Sequence, residues 1–415
     1  MGEPAPGFDE REREQGGPEQ GQREFAHPAP EDITERHAWF ARMRALEPVS
    51  FDESTGFWHV FTYADAARVL GDPATFSSDL RRVFPDAADR AEGDLTSMDP
   101  PRHDQLRALV SKAFTPKVVT DLRPRIAALT DEFLSAVDPD HWDLVGDLAY
   151  PLPVTVIAEV LGLPPSDRGR IRAWVEPVLE QQGGDPVVGE ELFGDRTAAV
   201  DGPLRALHDY LLEQVRQRRR APREDLLSAL VRAEVDGTRL GDGELVNVAH
   251  LLLLAGHITT TLLLGNAVLC LQEPGLAEWL RADLDRIPRA LEEVLRTRTP
   301  FTQMPRVAAE DVRLGDREIA ANRPITVWLA SANRDERQFR GAAGFDPQRN
   351  PNPHLAFGRG IHFCLGAPLA RLEGRVALES LLRRFATIST VAGDPPDQYT
   401  NTALTGPRRL PVRCR

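Results

Sequence analysis

The residues best suited to chemistry lie in one short segment, 357–367, where a single cysteine stands among glycines. The segment reads FGRGIHFCLGA, so Gly358, Gly360 and Gly366 flank Cys364. Glycine lets the backbone approach a flat ligand closely, because it has no Cβ. A cysteine just before a helix also meets amide dipoles that favour its thiolate. The segment therefore predicts a thiolate that ligates a metal beside a flat group.

The other two cysteines, Cys270 and Cys414, are far apart and form no CxxC pair. This spacing disfavours both a disulfide framework and a structural zinc site. The simpler interpretation of each is a small buried apolar side chain. Three cysteines in 415 residues are typical of a protein in a reducing cytoplasm.

A second candidate segment lies in the most apolar stretch of the chain, 245–271, which predicts a long helix. Its length suffices to span a membrane, but His250, His257 and three consecutive threonines are costly in lipid. We therefore interpret it as a central buried helix. Within it, Gly256 permits a local opening and Thr259 offers a hydroxyl, although helical threonines often bond back to their own turn.

Two further pairs stand at helical spacing. His103 and Arg107 are four residues apart, and Glu293 and Arg296 are three apart, so each pair shares one helical face. Either pair could be an ordinary solvated surface pair, because charged helices often produce such spacings. Their position relative to the segments above is what makes them candidates for chemistry.

Together these segments resemble the cytochrome P-450 (cytochrome P450) superfamily, in particular its soluble bacterial, actinobacterial-type members. The resemblance is carried by 98–103 (MDPPRH), 254–260 (LAGHITT), 293–296 (EVLR), 351–356 (PNPHLA) and 357–367. It covers nearly the whole chain after residue 30 and implies one catalytic domain, 31–415. The implied fold is the single large triangular prism of heme-thiolate monooxygenases, mainly α with small β-sheets (α+β). Residues 1–30 are polar and predict a disordered N-terminal tail.

The resemblance implies heme b, iron protoporphyrin IX, as the cofactor, with Cys364 as the protein ligand of its iron. A thiolate ligand donates electron density to heme iron and promotes O–O cleavage. The implied cofactor-binding residues are His103, Arg107, Arg306 and His362, which would hold the propionates, and Phe357, Gly358, Gly366 and Ala255. The implied structural support of the heme loop comes from Glu293, Arg296 and Arg349.

The implied activity is that of a heme-dependent monooxygenase that hydroxylates or epoxidises a mainly apolar organic substrate, in secondary-metabolite and antibiotic biosynthesis. The implied catalytic positions are Gly256, Ile258 and Thr259, and the substrate-facing candidates are Leu251, Leu254 and Thr302. Ordinary core packing explains the apolar candidates almost as well.

Ile258 departs from the family's pattern, in which an acid precedes the threonine. Isoleucine cannot carry a proton, so another group, water or a substrate hydroxyl must supply protons, or the reaction is unusual. The alternative function is therefore a peroxide-driven or oxidative-coupling heme enzyme. A non-catalytic heme protein that binds a ligand is a third hypothesis. The segment 319–322 (IAAN) also departs from the pattern, but it concerns only local turn geometry.

The composition limits the partners of the protein. A net charge of −13 gives no overall basic field for nucleic acid or an anionic membrane. The resemblance implies a monomer that acts on a small organic molecule, free or carrier-bound, and the three cysteines favour a cytoplasmic location. The resemblance implies electrons from NAD(P)H through a reductase and a ferredoxin. An acidic ferredoxin would dock on a local basic patch of Arg102, Lys112, Arg359, Arg371 and Arg375.

The elements that must position these residues follow from periodicity and helix breakers. Besides the central helix, we expect helices near 31–50, 101–113, 275–298 and 365–385, and short strands at 57–63 and 311–329. The Gly-Gly-Asp-Pro sequence within 183–199 predicts a flexible connection.

Overall fold

The computed structural model describes residues 29, 32–84, 94–181, 198–235, 237–399 and 402–415. The predicted tail lies outside these residues, except for Ala29, which is buried in one cluster with Trp39 and Phe40. Of the predicted connection at 183–199, residues 183–197 also lie outside the described residues. Both therefore remain predictions.

Helices form most of the described structure. In chain order they are α1 (Ile33–Leu46), α2 (Tyr63–Gly71), α3 (Arg102–Ala113), α4 (Pro116–Asp121), α5 (Arg123–Ala136), α6 (Pro151–Val160), α7 (Arg168–Gln181), α8 (Ala198–Arg220), α9 (Leu226–Arg232), α10 (Asp242–Cys270), α11 (Leu276–Ala282), α12 (Ile287–Thr297), α13 (Leu329–Ala332) and α14 (Ala367–Arg384). The first begins where the sequence predicts, because Asp32 accepts the N–H groups of Thr34 and Glu35 at its N-terminus.

The strands are short and form several small sheets. They are β1 (Val49–Asp52), β2 (Phe57–Val60), β3 (Phe76–Ser77), β4 (Trp142–Asp143), β5 (Glu234–Val235), β6 (Thr238–Arg239), β7 (Gln303–Ala308), β8 (Val312–Leu314), β9 (Arg317–Ile319), β10 (Pro324–Trp328), β11 (Ile388–Thr390), β12 (Asp397–Gln398), β13 (Pro407–Arg409) and β14 (Pro411–Cys414). The largest sheet has the order β1-β2-β10-β7-β3, in which only β2 and β10 pair in parallel. A second sheet has the order β11-β14-β4.

The helix α10 is the central element, as the sequence predicts. It packs against α6, α8, α12 and α14. It shares the main hydrophobic cluster with α6, α8 and α14, and a second cluster with α12 and α14. Among the described residues it is the one helix long and apolar enough to cross a membrane, and 61% of its apolar window is buried inside the protein. Its apolar composition is therefore accounted for by core packing.

One expectation about the elements was wrong. The helix expected at 275–298 is two helices, because Asp283 caps a 3-10 turn and Pro288 starts α12 anew. The sequence interpretation also missed the strand β7, which contains Pro305, although proline is disfavoured within an interior strand. In the structure, Pro305 pairs with Thr326 of β10 all the same.

Candidate active site

The cysteine loop, residues 357–366, lies between α13 and α14. At two positions its backbone has the left-handed conformation that favours glycine. Gly358 and Gly360 have φ values of +70° and +72°. A Cβ on Gly360 would also lie 2.7 Å from the Leu70 carbonyl oxygen of α2. The loop is closed by the N–H of Cys364, which donates to the Phe357 carbonyl at 2.9 Å. The glycines predicted from the sequence thus shape the backbone that presents the cysteine.

The sulfur of Cys364 lies at the N-terminus of α14, as expected. Burial raises the pKa of the thiol, whereas backbone N–H groups of Gly366 and Ala367 and the charges of Arg107 and Arg371 lower it. Burial outweighs these effects, so the protein alone favours the thiol more than the sequence led us to expect. A coordinated metal ion reverses that balance, because a coordinating thiol is deprotonated.

Glu293, Arg296 and Arg349 are brought together, as the resemblance implies. Glu293 and Arg296 are fully buried and form a bidentate pair at 2.7 and 2.8 Å. Arg349 donates to both oxygens of Glu293 at 3.1 and 3.2 Å. The sequence interpretation missed Asn352, whose amide donates to Glu293 at 3.0 Å. This network holds the segment that leads into the cysteine loop against α12.

A cationic cluster gathers His103 and Arg107 from α3, Arg306 from β7 and His362 from the cysteine loop. The two imidazole rings are 4.3 Å apart between centroids. Arg306 is 3% exposed and donates to its neighbour's carbonyl, that of Pro305, at 2.7 Å. Arg107 donates to the Phe363 carbonyl at 2.6 Å. Burial lowers the pKa of Arg306 to about 10 and, with the charges of Arg306, His103 and Arg107, that of His362 to about 3.

This cluster fits the two carboxylates of a heme. The Nε2 atoms of His103 and His362 are buried without a hydrogen-bond partner in the described structure. Buried polar groups are normally paired, and buried arginines are normally matched by carboxylates. Propionate groups would satisfy both histidines and both arginines. The residues present therefore fit heme beside Cys364.

The middle of α10 presents an open face in an otherwise buried helix. Ala255 is exposed, and a Cβ on Gly256 would have no heavy atom within 4 Å. The predicted opening at Gly256 is not seen, because α10 is helical without interruption from end to end. The Thr259 hydroxyl donates to the Ala255 carbonyl at 2.8 Å. Ile258 is buried and places an alkyl group where the family's acid would stand.

The substrate-facing candidates divide into two groups. Leu251 and Leu254 are half-buried beside the main hydrophobic cluster, and Leu254 also packs on Leu204 of α8. Thr302 is fully buried, and its hydroxyl donates to the Thr402 carbonyl. Leu251 and Leu254 are therefore partly exposed and could contact a substrate. The hydroxyl of Thr302 is already used in a hydrogen bond to the backbone.

Several arginines of the expected ferredoxin patch are paired with acids. Arg102 binds Glu244, Arg371 binds Glu292, and Arg375 binds Glu379 and Asp285. Lys112 donates to the backbone carbonyl of residue 234. Such pairing reduces the net positive charge available to a partner. The sequence could not show it, because most of these pairs join residues far apart in the chain.

Comparison with known proteins decides the family. A family model described as Cytochrome P450 matches residues 193–412. Cyclomarin C epoxidase CymV of Salinispora arenicola is 45% identical over 91% of this chain and 96% of its own length. The chain belongs to the cytochrome P450 family. Erythromycin C-12 hydroxylase of Saccharopolyspora erythraea is 44% identical over 93% of this P450 and 96% of its own length.

Solved structures agree with this assignment. The hydroxylase HmtN, involved in himastatin biosynthesis, superposes with a TM-score of 0.82 at 46% identity, over 91% of this P450 and 96% of its own chain. The P450 therefore has the mainly α fold with small sheets that the resemblance implied. It is a heme-dependent monooxygenase, an oxidoreductase that acts on a small molecule.

Proposed function

We propose that this P450 hydroxylates or epoxidises a mainly apolar small molecule of bacterial secondary metabolism in the cytoplasm. Its electrons would come from NAD(P)H through a reductase and a ferredoxin to the monomeric enzyme. The observation that carries the proposal is the sulfur of Cys364 near the buried Arg306 and the Nε2 atoms of His103 and His362, which have no hydrogen-bond partner in the described structure. Two relatives, by name an epoxidase and a C-12 hydroxylase, support the reaction class.

The cofactor would be held from two sides by the chain's own residues. Cys364 would ligate the iron, and His103, Arg107, Arg306 and His362 would bind the propionates by charge-assisted hydrogen bonds. Phe357, Gly358 and Gly366 would shape the loop under the ring, and Ala255 and Gly256 would leave room for it at α10. When bound, heme with a thiolate ligand supplies the activation of dioxygen.

The substrate wall is apolar on the side of α10. Leu251, Leu254 and Ile258 present alkyl groups there, which favour an apolar substrate and exclude water from the reacting atoms.

Thr259 would hold a proton-carrying group at the site. Its hydroxyl hydrogen is donated to the Ala255 carbonyl, so its oxygen remains free to accept a hydrogen bond. An ordered water is the natural donor to that oxygen. Because Ile258 cannot relay protons, such water or a hydroxyl of the substrate would bring them to Thr259.

Ile258 also supports a second candidate, a peroxide-driven or oxidative-coupling enzyme. Peroxide would bring both the oxygen atoms and the protons that the missing acid cannot deliver. Turnover with hydrogen peroxide is therefore compared with turnover by ferredoxin, ferredoxin reductase and NADPH. Faster product formation with the protein electron chain supports the monooxygenase, and product with peroxide alone supports the alternative.

The first test of the proposal is the absorption spectrum of the reduced protein under carbon monoxide. We expect a strongly red-shifted Soret band, which reports a heme with cysteine thiolate ligation. A band without that shift would contradict ligation by Cys364. Absence of a heme band after heme supplementation would contradict the proposal as a whole.

A further inference from the structure

One ion pair reaches the cysteine loop from the helix beside it. Arg371, in the second turn of α14, donates to both carboxylate oxygens of Glu292 at 2.7 Å each. Its guanidinium carbon lies 4.6 Å from the centroid of the Phe357 ring, a distance at which cation–π attraction is effective. Phe357 is the residue whose carbonyl accepts the N–H of Cys364. The pair therefore touches the loop that presents the sulfur.

His354 holds Glu292 from the other side. Its Nε2 lies 3.1 Å from a Glu292 oxygen, and its side chain is 3% exposed. Its Nδ1 accepts the N–H of Ala356 at 3.2 Å, so the imidazole proton is on Nε2 and is donated to Glu292. Burial raises the pKa of Glu292, but the bonds from Arg371 and His354 outweigh it and lower the pKa to about 2. The carboxylate is thus ionised and fixed in place.

The two charges of the pair have opposite signs, so any effect of Glu292 on a charge at Cys364 opposes that of Arg371. Arg371 attracts the negative form of the sulfur, and the two groups shift each other's pKa accordingly. Reduction of a heme adds negative charge, which a nearby cation stabilises and a nearby anion destabilises. Arg371 would therefore raise the reduction potential of a heme at Cys364, and Glu292 would lower it.

We propose that Glu292 is a positioning residue which, with His354, holds Arg371 against Phe357, and that the Glu292–Arg371 pair sets the reduction potential of the heme. The inference rests on the ligation by Cys364 in the proposed function. The sequence interpretation assigned Arg371 to partner docking and assigned no role to Glu292, so the inference gives both residues a further role. Glu292 stands directly before Glu293 in the chain, but it serves the cysteine loop rather than the buried network.

The test is a charge cycle on the heme-loaded protein, with potentials measured by spectroelectrochemical titration. Glu292→Gln leaves Arg371 unopposed, so the potential should shift in the positive direction. Arg371→Gln leaves Glu292 unopposed, so the potential should shift in the negative direction. The double variant should return close to the wild-type value. Arg371→Lys keeps the charge without the planar fork and should shift the potential less than Arg371→Gln does.

A matched control is the Arg409–Asp394 pair of the C-terminal region, which is also bidentate with two bonds of 2.7 Å. Asp394→Asn should leave the potential unchanged. Equal potentials in all variants, or shifts of the same sign in both single variants, would overturn the inference while a normal carbon monoxide band keeps the proposed function. A wild-type protein without that band would overturn both.

Discussion

Arg306 is buried and forms no ion pair with any acid of the described residues, which indicates that a ligand supplies the opposite charge. It is 3% exposed, and the hydrogen bond that its side chain forms goes to the Pro305 carbonyl. A buried cation without a carboxylate costs several kcal/mol unless something compensates it. The Nε2 atoms of His103 and His362 are also buried without a hydrogen-bond partner in the described structure, while Nδ1 of His103 contacts Asp104. A carboxylate from a ligand would pair with Arg306 and with these two nitrogens.

We expect Arg306→Gln to weaken heme retention by about ten- to a hundredfold, since a hydrogen bond to a charged group contributes about 1.5–3 kcal/mol. The measurement is the rate of heme transfer to apomyoglobin. Arg125→Gln removes an arginine that pairs with Glu159 on the surface, and its transfer rate should match the wild type. Equal rates in both variants would remove Arg306 from the propionate site.

We expect Cys364→Ser to abolish the red-shifted carbon monoxide band, because a hydroxyl is a far weaker ligand than a thiolate. Cys270→Ala serves as the control. Cys270 is buried, and burial raises the pKa of its thiol to about 11, which suits an inert core residue. That variant should keep the band. An unchanged spectrum in Cys364→Ser would refute the axial assignment.

We expect Thr259→Ala to release more of the consumed oxygen as peroxide and less as product. The effect should be smaller than an enzyme with an acid at 258 would show, since Ile258 already lacks a proton relay. Thr261→Ala is the matched control, because its hydroxyl also bonds back one turn, to the His257 carbonyl at 3.1 Å, on a buried face. Equal coupling in the two variants would exclude Thr259 from the mechanism.

At the scale of elements, α14 carries a buried acid that has no cationic partner in the part of the chain that the structure describes. Glu373 is 2% exposed, its Oε2 has no hydrogen-bond partner, and burial raises its pKa to about 8. The following residue, Gly374, packs against Leu263 of α10 and Leu291 of α12. A Cβ there would lie 3.2 Å from Leu291, so Glu373 stands where three helices meet closely. The carboxyl group is therefore neutral at pH 7.

We expect Glu373→Gln to remove part of the pH dependence of stability. Between pH 4.5 and 8 the folded protein holds a proton that the unfolded chain has lost, so stability falls as pH rises. One proton corresponds to a slope of about 1.4 kcal/mol per pH unit. In urea unfolding at pH 5, 6.5 and 8, the free energy of unfolding of the variant should increase relative to that of the wild type as pH rises. The exposed Glu278→Gln should show no such gain, and an unchanged slope in Glu373→Gln would contradict its neutral state.

At the scale of the whole molecule, the net charge affects how the proposed electron donor would bind. The net charge of −13 repels an acidic ferredoxin in general. The basic residues near the cysteine loop would have to offset it locally, although Arg102 and Arg371 are paired with Glu244 and Glu292. Docking of this kind depends on salt, because exposed charges are screened.

We expect the charge reversals Arg102→Glu and Arg371→Glu to slow reduction by ferredoxin several-fold at low salt and less at high salt. Reduction of the Arg102→Glu variant by dithionite needs no docking and should keep its rate. The reduction potential is measured in parallel, since Arg371 also affects it. Unchanged ferredoxin rates would show that the donor docks elsewhere.

The sequence by itself determined the cysteine loop and the central helix, and its resemblance to a family supplied most of the proposed site residues. These are local signals. A left-handed backbone selects glycine, as at 358 and 360, and burial of a whole helix selects a long apolar run, as in α10. Only the tertiary structure decided which groups are partners. Asn352 on Glu293, His354 on Glu292 and the committed hydroxyl of Thr302 all join residues distant in the chain. Such contacts form only when folding brings separate elements together, so no spacing within one segment could reveal them.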